Sequence, residues 1–191
     1  MKGFAEVDNK VYLIFLYSSN IEVCDAQTFK QLTVIKVKGL KDPCDIMACR
    51  DDRQLYVAEL DCLWRVSTID GQQYKWLTTK CKTDTFRVNK LSLTSRNLLV
   101  TSSQPPALRQ YSTVDAQLLC EVQLPQFVSE LYHGVETSRG TFVVGHWGTS
   151  QYKQQWAVSI RCFLLSCIQW RGFPLYFDIK IQGLFKDFQE P

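Results

Sequence analysis

No asparagine in this chain begins an N-x-S/T triplet, only two histidines occur in 191 residues, and no apolar run is long enough to cross a bilayer. Each shortage closes off a class. Without a sequon there is no acceptor for N-glycosylation. His133 lies in SELYHGVE and His146 ends TFVVGHW, with no serine nucleophile elbow or acid partner beside either, so a hydrolase triad has no visible parts. Gly145 and Gly148 flank His146, and the histidine is read as a hydrogen-bonding residue of a loop end. The most apolar stretch, WAVSIRCFLLSCIQW, runs for 15 residues and contains Arg161, whereas a helical span needs roughly 20. No membrane segment is expected. The opening MKGFAEVDNK places two acids ahead of VYLIFLY, which is not the layout of a secretory signal.

Strong charge is also missing. The formal balance is +3, from 22 basic and 19 acidic residues, too mild to imply nucleic acid or membrane by itself. Hydrophobic residues make up 46% and aromatics 13%, a globular composition that excludes a disordered chain. Eight cysteines are present, several within apolar, strand-like runs such as those around Cys24, Cys49 and Cys120. With no secretion signal they are read as reduced, buried thiols, and the expected location is cytoplasmic.

What the sequence does contain is repetition. STIDGQ at 67–72 returns as STVDAQ at 112–117, inside a longer match of LWRVSTIDGQQYKWL (63–77) with LRQYSTVDAQLLCEV (108–122). Upstream, KVYLIFL, QLYVAEL, NLLVTSS and TFVVGHW begin at 10, 54, 97 and 141, a steady interval of 43 to 44 residues. Between them lie apolar segments of four to eight residues separated by turn formers: DDRQ, DG, TSRN and TSRG. No helical stripe of ten or more residues appears. Strands are expected near 43–49, 54–60, 63–68 and 73–78, then 86–94, 97–102, 107–112 and 118–124, then 129–137, 141–147 and 154–160. Four short strands every 40–45 residues define an all-β, β-propeller-like fold. A sandwich would not need a constant interval, and a β-solenoid uses a shorter one. The chain holds about three to four such blades, so the ring is expected to be incomplete or open. The repeat region is placed at 1–160 and a divergent C-terminal segment at 161–191, where VSIRCFLLSCIQ lacks the Asp of the repeated phrase. In that phrase, Ala116 in place of Gly71 implies a turn without a glycine-only geometry.

DPCDIMA (42–48), LYVAE (55–59) and the Val-Ser-Thr-x-Asp-Gly run at 66–71 resemble blades of the NHL, YVTN and WD40-like propeller superfamily, and NHL-type repeats above all. The WD dipeptide is absent. The resemblance covers about residues 5–160, implies a scaffold that binds other proteins, and also admits RNA binding or a calcium-dependent hydrolase.

Three candidate chemistries follow. Asp45 and Glu59 are the acids a metal hydrolase would place in the channel, but Val88 and Ser102 hold the matching places in the next unit, and a hard cation wants about six oxygens. Cys44-x4-Cys49 and Cys162-x4-Cys167 alternate across strands, so their sulfurs do not converge on zinc. No metal, cofactor or catalytic residue is expected. A basic stretch at 75–96 carries Lys75, Lys80, Lys82, Arg87, Lys90 and Arg96 against Asp84, with Trp76 and Phe86 among them. It could track phosphates and stack bases, although packed aromatics in a solvated loop are the simpler reading. Trp76, Lys80, Lys82 and Trp147 are the candidate interaction surface. The expected partner is a protein, RNA is the alternative, and further repeats of a larger assembly could complete the ring.

Overall fold

The computed structural model describes residues 1–78, 86–94, 97–124, 128–137, 141–148, 160–166 and 178–179. Side chains are described as far as Gly145, apart from those of 103, 128–130, 132 and 141. Among the described residues sixteen strands form four sheets of four, each an antiparallel meander. Blade one is β1 (Gly3–Val7), β2 (Lys10–Ile14), β3 (Asn20–Asp25) and β4 (Gln31–Lys36). Blade two is β5 (Asp45–Cys49), β6 (Gln54–Glu59), β7 (Cys62–Ser67) and β8 (Gln73–Thr78). Blade three is β9 (Val88–Leu93), β10 (Asn97–Ser103), β11 (Pro106–Ser112) and β12 (Leu118–Gln123). Blade four is β13 (Val128–Glu136), β14 (Thr141–Gly148), β15 (Ile160–Ser166) and β16 (Asp178–Ile179). The second strands begin at the four positions where the repeat was read. Among the described residues the blades pack in chain order, one on two, two on three and three on four, and no sheet closes on itself.

Burial explains the residue pattern. A middle strand of an interior blade is covered on both faces, so QLYVAE in β6 is buried at every position but its first. Such a strand reads as a continuous apolar run rather than an alternation. Outer strands meet solvent, and LLCEVQ in β12 is half-buried or exposed throughout. Alternate residues then serve opposite junctions. Ile46, Leu55, Val57, Trp64 and Val66 pack back against Tyr12, Ile14, Ile21 and Val23 of blade one. Tyr56, Ala58 and Leu63 pack forward against Phe86, Leu91, Leu98 and Val100 of blade three. The connector from blade one to blade two is drawn in by buried Val37 and Leu40. Gly39 between them has φ +100° and lies under the Trp64 ring, where a Cβ would come within 3.1 Å. It is needed for both reasons.

The repeated phrase folds as one hydrogen-bonded turn. Ser67 N–H donates to Gln72 O and Gly71 N–H to Ser67 O, at 2.8 and 3.1 Å. Ser112 and Ala116 do the same at 2.9 and 3.1 Å. Asp70 and Asp115 accept from the backbone N–H two residues on, Gln72 and Gln117, at 3.1 and 3.2 Å. Gly71 has φ +70° and Ala116 φ +60°. The turn takes the left-handed geometry that glycine favours, and alanine accepts it at a cost, so the position is not glycine-only, as the substitution implied. Blade one holds a third copy three residues out of step with its DAQ string: Asp25 N–H donates to Lys30 O, Phe29 N–H donates to Asp25 O, and Phe29 has φ +54°.

Two further differences from the sequence reading concern blade four and the cysteines. The third strand of blade four is Ile160–Ser166 rather than 154–160, and 154–159 lie outside the described residues. β15 and the two-residue β16 hydrogen-bond into the fourth sheet beyond residue 160. Cys24, Cys44, Cys49 and Cys62 are free thiols, but Cys120 is disulfide-bonded, which corrects its reading as a reduced core thiol. An outer strand leaves its side chain only half-buried, accessible to a partner sulfur rather than sealed in a core.

Candidate functional site

Two carboxylates are the obvious chemical groups, and both are used up in holding the fold. Glu59 ends β6, buried to 8% exposure. Its Oε1 accepts from the backbone N–H of Lys41 and Asp42 at 2.7 and 3.2 Å. Its Oε2 accepts from Trp64 Nε1 at 2.7 Å and from the Cys62 thiol at 3.0 Å. Burial alone would raise its pKa, but the bonds from Trp64, Cys62 and the two backbone amides outweigh that, and the carboxyl is held below its ordinary range. Asp45, at the start of β5, reaches across to blade three, where its Oδ2 accepts from Leu91 N–H at 2.8 Å and its Oδ1 lies 3.4 Å from Lys90 Nζ. One acid pins the incoming connector and the other ties neighbouring blades.

The thiols are equally quiet. Burial, with the nearby Asp45 carboxylate, pushes Cys44 up to about 12. Burial and the hydrogen bond to Glu59 push Cys62 up to about 12 as well. A nucleophilic cysteine needs its thiolate near neutral pH, so neither is one. Among the described residues no three His, Cys, Asp or Glu side chains gather as a metal site, which argues against the metal hydrolase. Among those residues, too, no helix is long and apolar enough to cross a membrane.

Of the four candidate interaction residues, Trp76 alone has a described side chain. It sits on β8, half-buried, edge-on to Tyr56 at 5.1 Å and to Tyr111 at 6.4 Å between ring centroids. Its ring therefore closes the junction between blades two and three. Lys80 and Lys82 lie outside the described residues. Trp147 has its backbone on β14, opposite Glu130 and Ile160, and its side chain lies outside those described. The rest of the basic stretch is largely occupied: Phe86 is 2% exposed beneath the Arg109 guanidinium at 4.2 Å, Lys75 lies over Trp64 at 5.4 Å, and Lys90 meets Asp45. Arg87 is exposed, and Arg96 is outside the described residues. His133 is exposed on β13; the side chain of His146 lies outside those described.

The sequence reading missed the tips of the outer turns. Ile69 is 70% exposed, Val114 80% and Phe29 72%. Ile69 and Val114 occupy the same position of the same turn, and Phe29 stands at the left-handed position of the third copy. A β-branched residue between the Ser-Thr and the Asp of a turn phrase, where a polar residue is the norm, was the available signal. These turns join the third and fourth strands of successive blades, so they share one end of the arc.

Four four-stranded meanders stacked in chain order through three apolar junctions make this a β-propeller-like scaffold, and among the described residues no sheet closes into a barrel. Solved structures agree on the fold. Hydrazine synthase of Kuenenia stuttgartiensis is 14% identical with a TM-score of 0.66, over 86% of this chain and 50% of that one. The β-propeller domain of Cps50 (Swd1) from Myceliophteria thermophila is 10% identical with a TM-score of 0.61, over 90% of this chain and 54% of that one. The computationally designed Ika4 protein is 15% identical with a TM-score of 0.58, over 78% of this chain and 86% of that one. The chain thus spans about half the length of the first two. No family model matches the sequence, and no curated protein matches it.

Proposed function

We propose that this chain is a non-catalytic propeller scaffold that holds a protein partner on the end of the arc bearing its outer turns. The observation that carries the reading is the exposure of Phe29, Ile69 and Val114 on three hydrogen-bonded turns of one kind. An apolar side chain raised on a fixed backbone loses little conformational entropy when covered. A rigid scaffold with varied loops is the usual way a repeat fold builds a binding surface. The blade grammar of DPCDIMA and LYVAE places the chain nearest the NHL type within this reading. Four free thiols suit the cytoplasm, and the Cys120 bond is the feature that a thiol-labelling experiment on protein from cells would have to reconcile with it.

RNA is the weaker reading, because Phe86 is buried and Trp76 is half-buried in packing against Tyr56 and Tyr111. The test is proximity labelling in cells with the wild-type chain and an Ile69→Asp, Val114→Asp double variant. Loss of a reproducible set of protein neighbours in the variant, with its circular dichroism unchanged, is the expected result. An identical neighbour set sinks the reading. Salt-sensitive retention of single-stranded RNA by the purified chain would turn it toward nucleic acid, since phosphate contacts weaken steeply with salt.

A further inference from the structure

Every junction inside the arc shows what a covered blade face looks like, and among the described residues no blade packs on the corresponding face of blade one. Strand register gives the correspondence. In blade two, Ile46 pairs Val57, Val57 pairs Trp64, Ala48 pairs Leu55 and Leu55 pairs Val66. In blade one the same places are held by Phe4, Leu13 and Glu22, and by Glu6, Val11 and Cys24. In blade two all these residues but half-buried Ala48 are buried against blade one. In blade one the apolar positions are kept; Val11 and Cys24 are buried and Leu13 half-buried, but Phe4 is 62% exposed, and so is 42% of Val34, the cross-strand neighbour of Glu22. Carboxylates replace the small Ala48 and the large Trp64.

The other end of the arc offers the complement. Leu131, Phe142 and Val144 of blade four pack on Leu99 and Leu108 of blade three. Gly134 lies against the same blade, where a Cβ would meet Leu108 at 3.1 Å. The register shift between Leu131 and His133, with alternation on either side of Gly134, turns Val135, Val143 and His133 to the opposite face, where Val135 is 40% exposed and His133 is exposed. Val135 pairs Val143, and His133 pairs Gly145, so the described part of this face, on the two inner strands, is apolar with one imidazole beside it.

We infer that the free face of blade one is covered by blade four of a second copy of this chain, and reciprocally, so that two arcs close one ring. Each new junction repeats the three already present, with valines against Phe4 and Leu13 and the imidazole N–H available to a carboxylate of Glu6 or Glu22. The arc aligns with 54% of a β-propeller domain, which leaves about half a ring open. A second copy makes eight blades, within the range of roughly four to eight in which propellers close. A stable interface buries about 1,600 Å² in all, which the two junctions would share. The assembly does not depend on the partner proposed for the outer turns, because it uses the faces of the end blades.

Sedimentation velocity of the 191-residue chain tests it, alongside a Phe4→Glu, Val34→Glu variant and a Val143→Glu variant. The expected species is twice 22.1 kDa at micromolar concentration, with each variant shifted to the monomer while keeping its β-sheet circular dichroism. Phe4 and Val34 are exposed, so their replacement leaves the core of the arc intact. A wild-type monomer overturns the inference whatever the variants do. So does a species that keeps growing beyond the dimer as concentration rises, or a dimer indifferent to both variants.

Discussion

Blades two and three have the same layout and are covered on both faces, but they solve one local problem with different chemistry. In each, the chain arriving from the previous blade brings backbone N–H groups that need acceptors at the end of the second strand. Blade two uses Glu59, whose carboxylate takes Lys41 and Asp42 N–H and also Trp64 and Cys62. Blade three uses Ser102, whose hydroxyl oxygen takes the N–H of Arg87 and of Gln104, both at 3.2 Å. Where Trp64 leans on that carboxylate, blade three has Arg109, stacked on Phe86 and paired with Glu121 at 3.2 Å. The position is defined by the connector it captures, and the acid is one way of filling it. The carboxylate at the end of β6 is thus accounted for by the groups it binds.

Unequal consequences of breaking the two anchors would sharpen this comparison. Glu59→Ala strands an indole N–H, a thiol and two backbone amides at once. With each buried orphan worth roughly 1–3 kcal/mol, a loss of about 3 kcal/mol or more is expected in urea unfolding. An effect below about 1 kcal/mol would show the carboxylate to be idle and return it to the list of functional groups. Acid should reveal the same anchor. A carboxyl held below its unfolded pKa contributes stability that is fully present above the unfolded value and lost as pH falls through the folded one. Stability of the wild type should therefore fall below about pH 4–5, the unfolded range of glutamate. Glu59→Gln, which has no such proton to gain, should lose less over the same interval. Equal acid limbs in denaturant titrations at several pH values would count against it.

Ser102→Ala is the milder break, about 1 kcal/mol, because one neutral hydroxyl serves two amides. The outer turns give the smallest effects and the cleanest pair. Gly71→Ala places a Cβ at φ +70° in open space, so only backbone strain opposes it, about 1 kcal/mol. Ala116→Gly relieves that strain but frees the unfolded chain, for a net gain of about 0.5 kcal/mol or less. If both variants destabilise alike in thermal melts, the two turns are not the same object.

The repeat was legible because each blade must solve the same packing problem. Second strands at 10, 54, 97 and 141 have to be apolar on both sides, and continuous apolar runs at a fixed interval survive any amount of drift in the outer strands. Strand boundaries in blades two and three were legible for the same reason. Blade four was less so, because VSIRCFLLSCIQ is apolar throughout and offers no turn phrase to set its frame. The DAQ of blade one shows the opposite limit: its letters match those of blade three, but Asp25 starts its turn where Ser112 starts the other. Local letters do not define register; the hydrogen bonds to Lys30 and Phe29 do.

By itself the sequence determined an all-β, four-stranded unit and its period, because alternation, apolar runs and turn formers are properties of adjacent residues. Only the tertiary structure decided what Glu59, Asp45 and Trp76 are for, because their partners lie 3 to 46 residues away along the chain, and most of them on other strands or connectors. It also decided that Phe4 and Val34 lie bare where Ile46 is buried. An apolar residue reads the same in sequence whether a neighbouring blade covers it or not, and which faces are covered depends on how many blades stand in the arc.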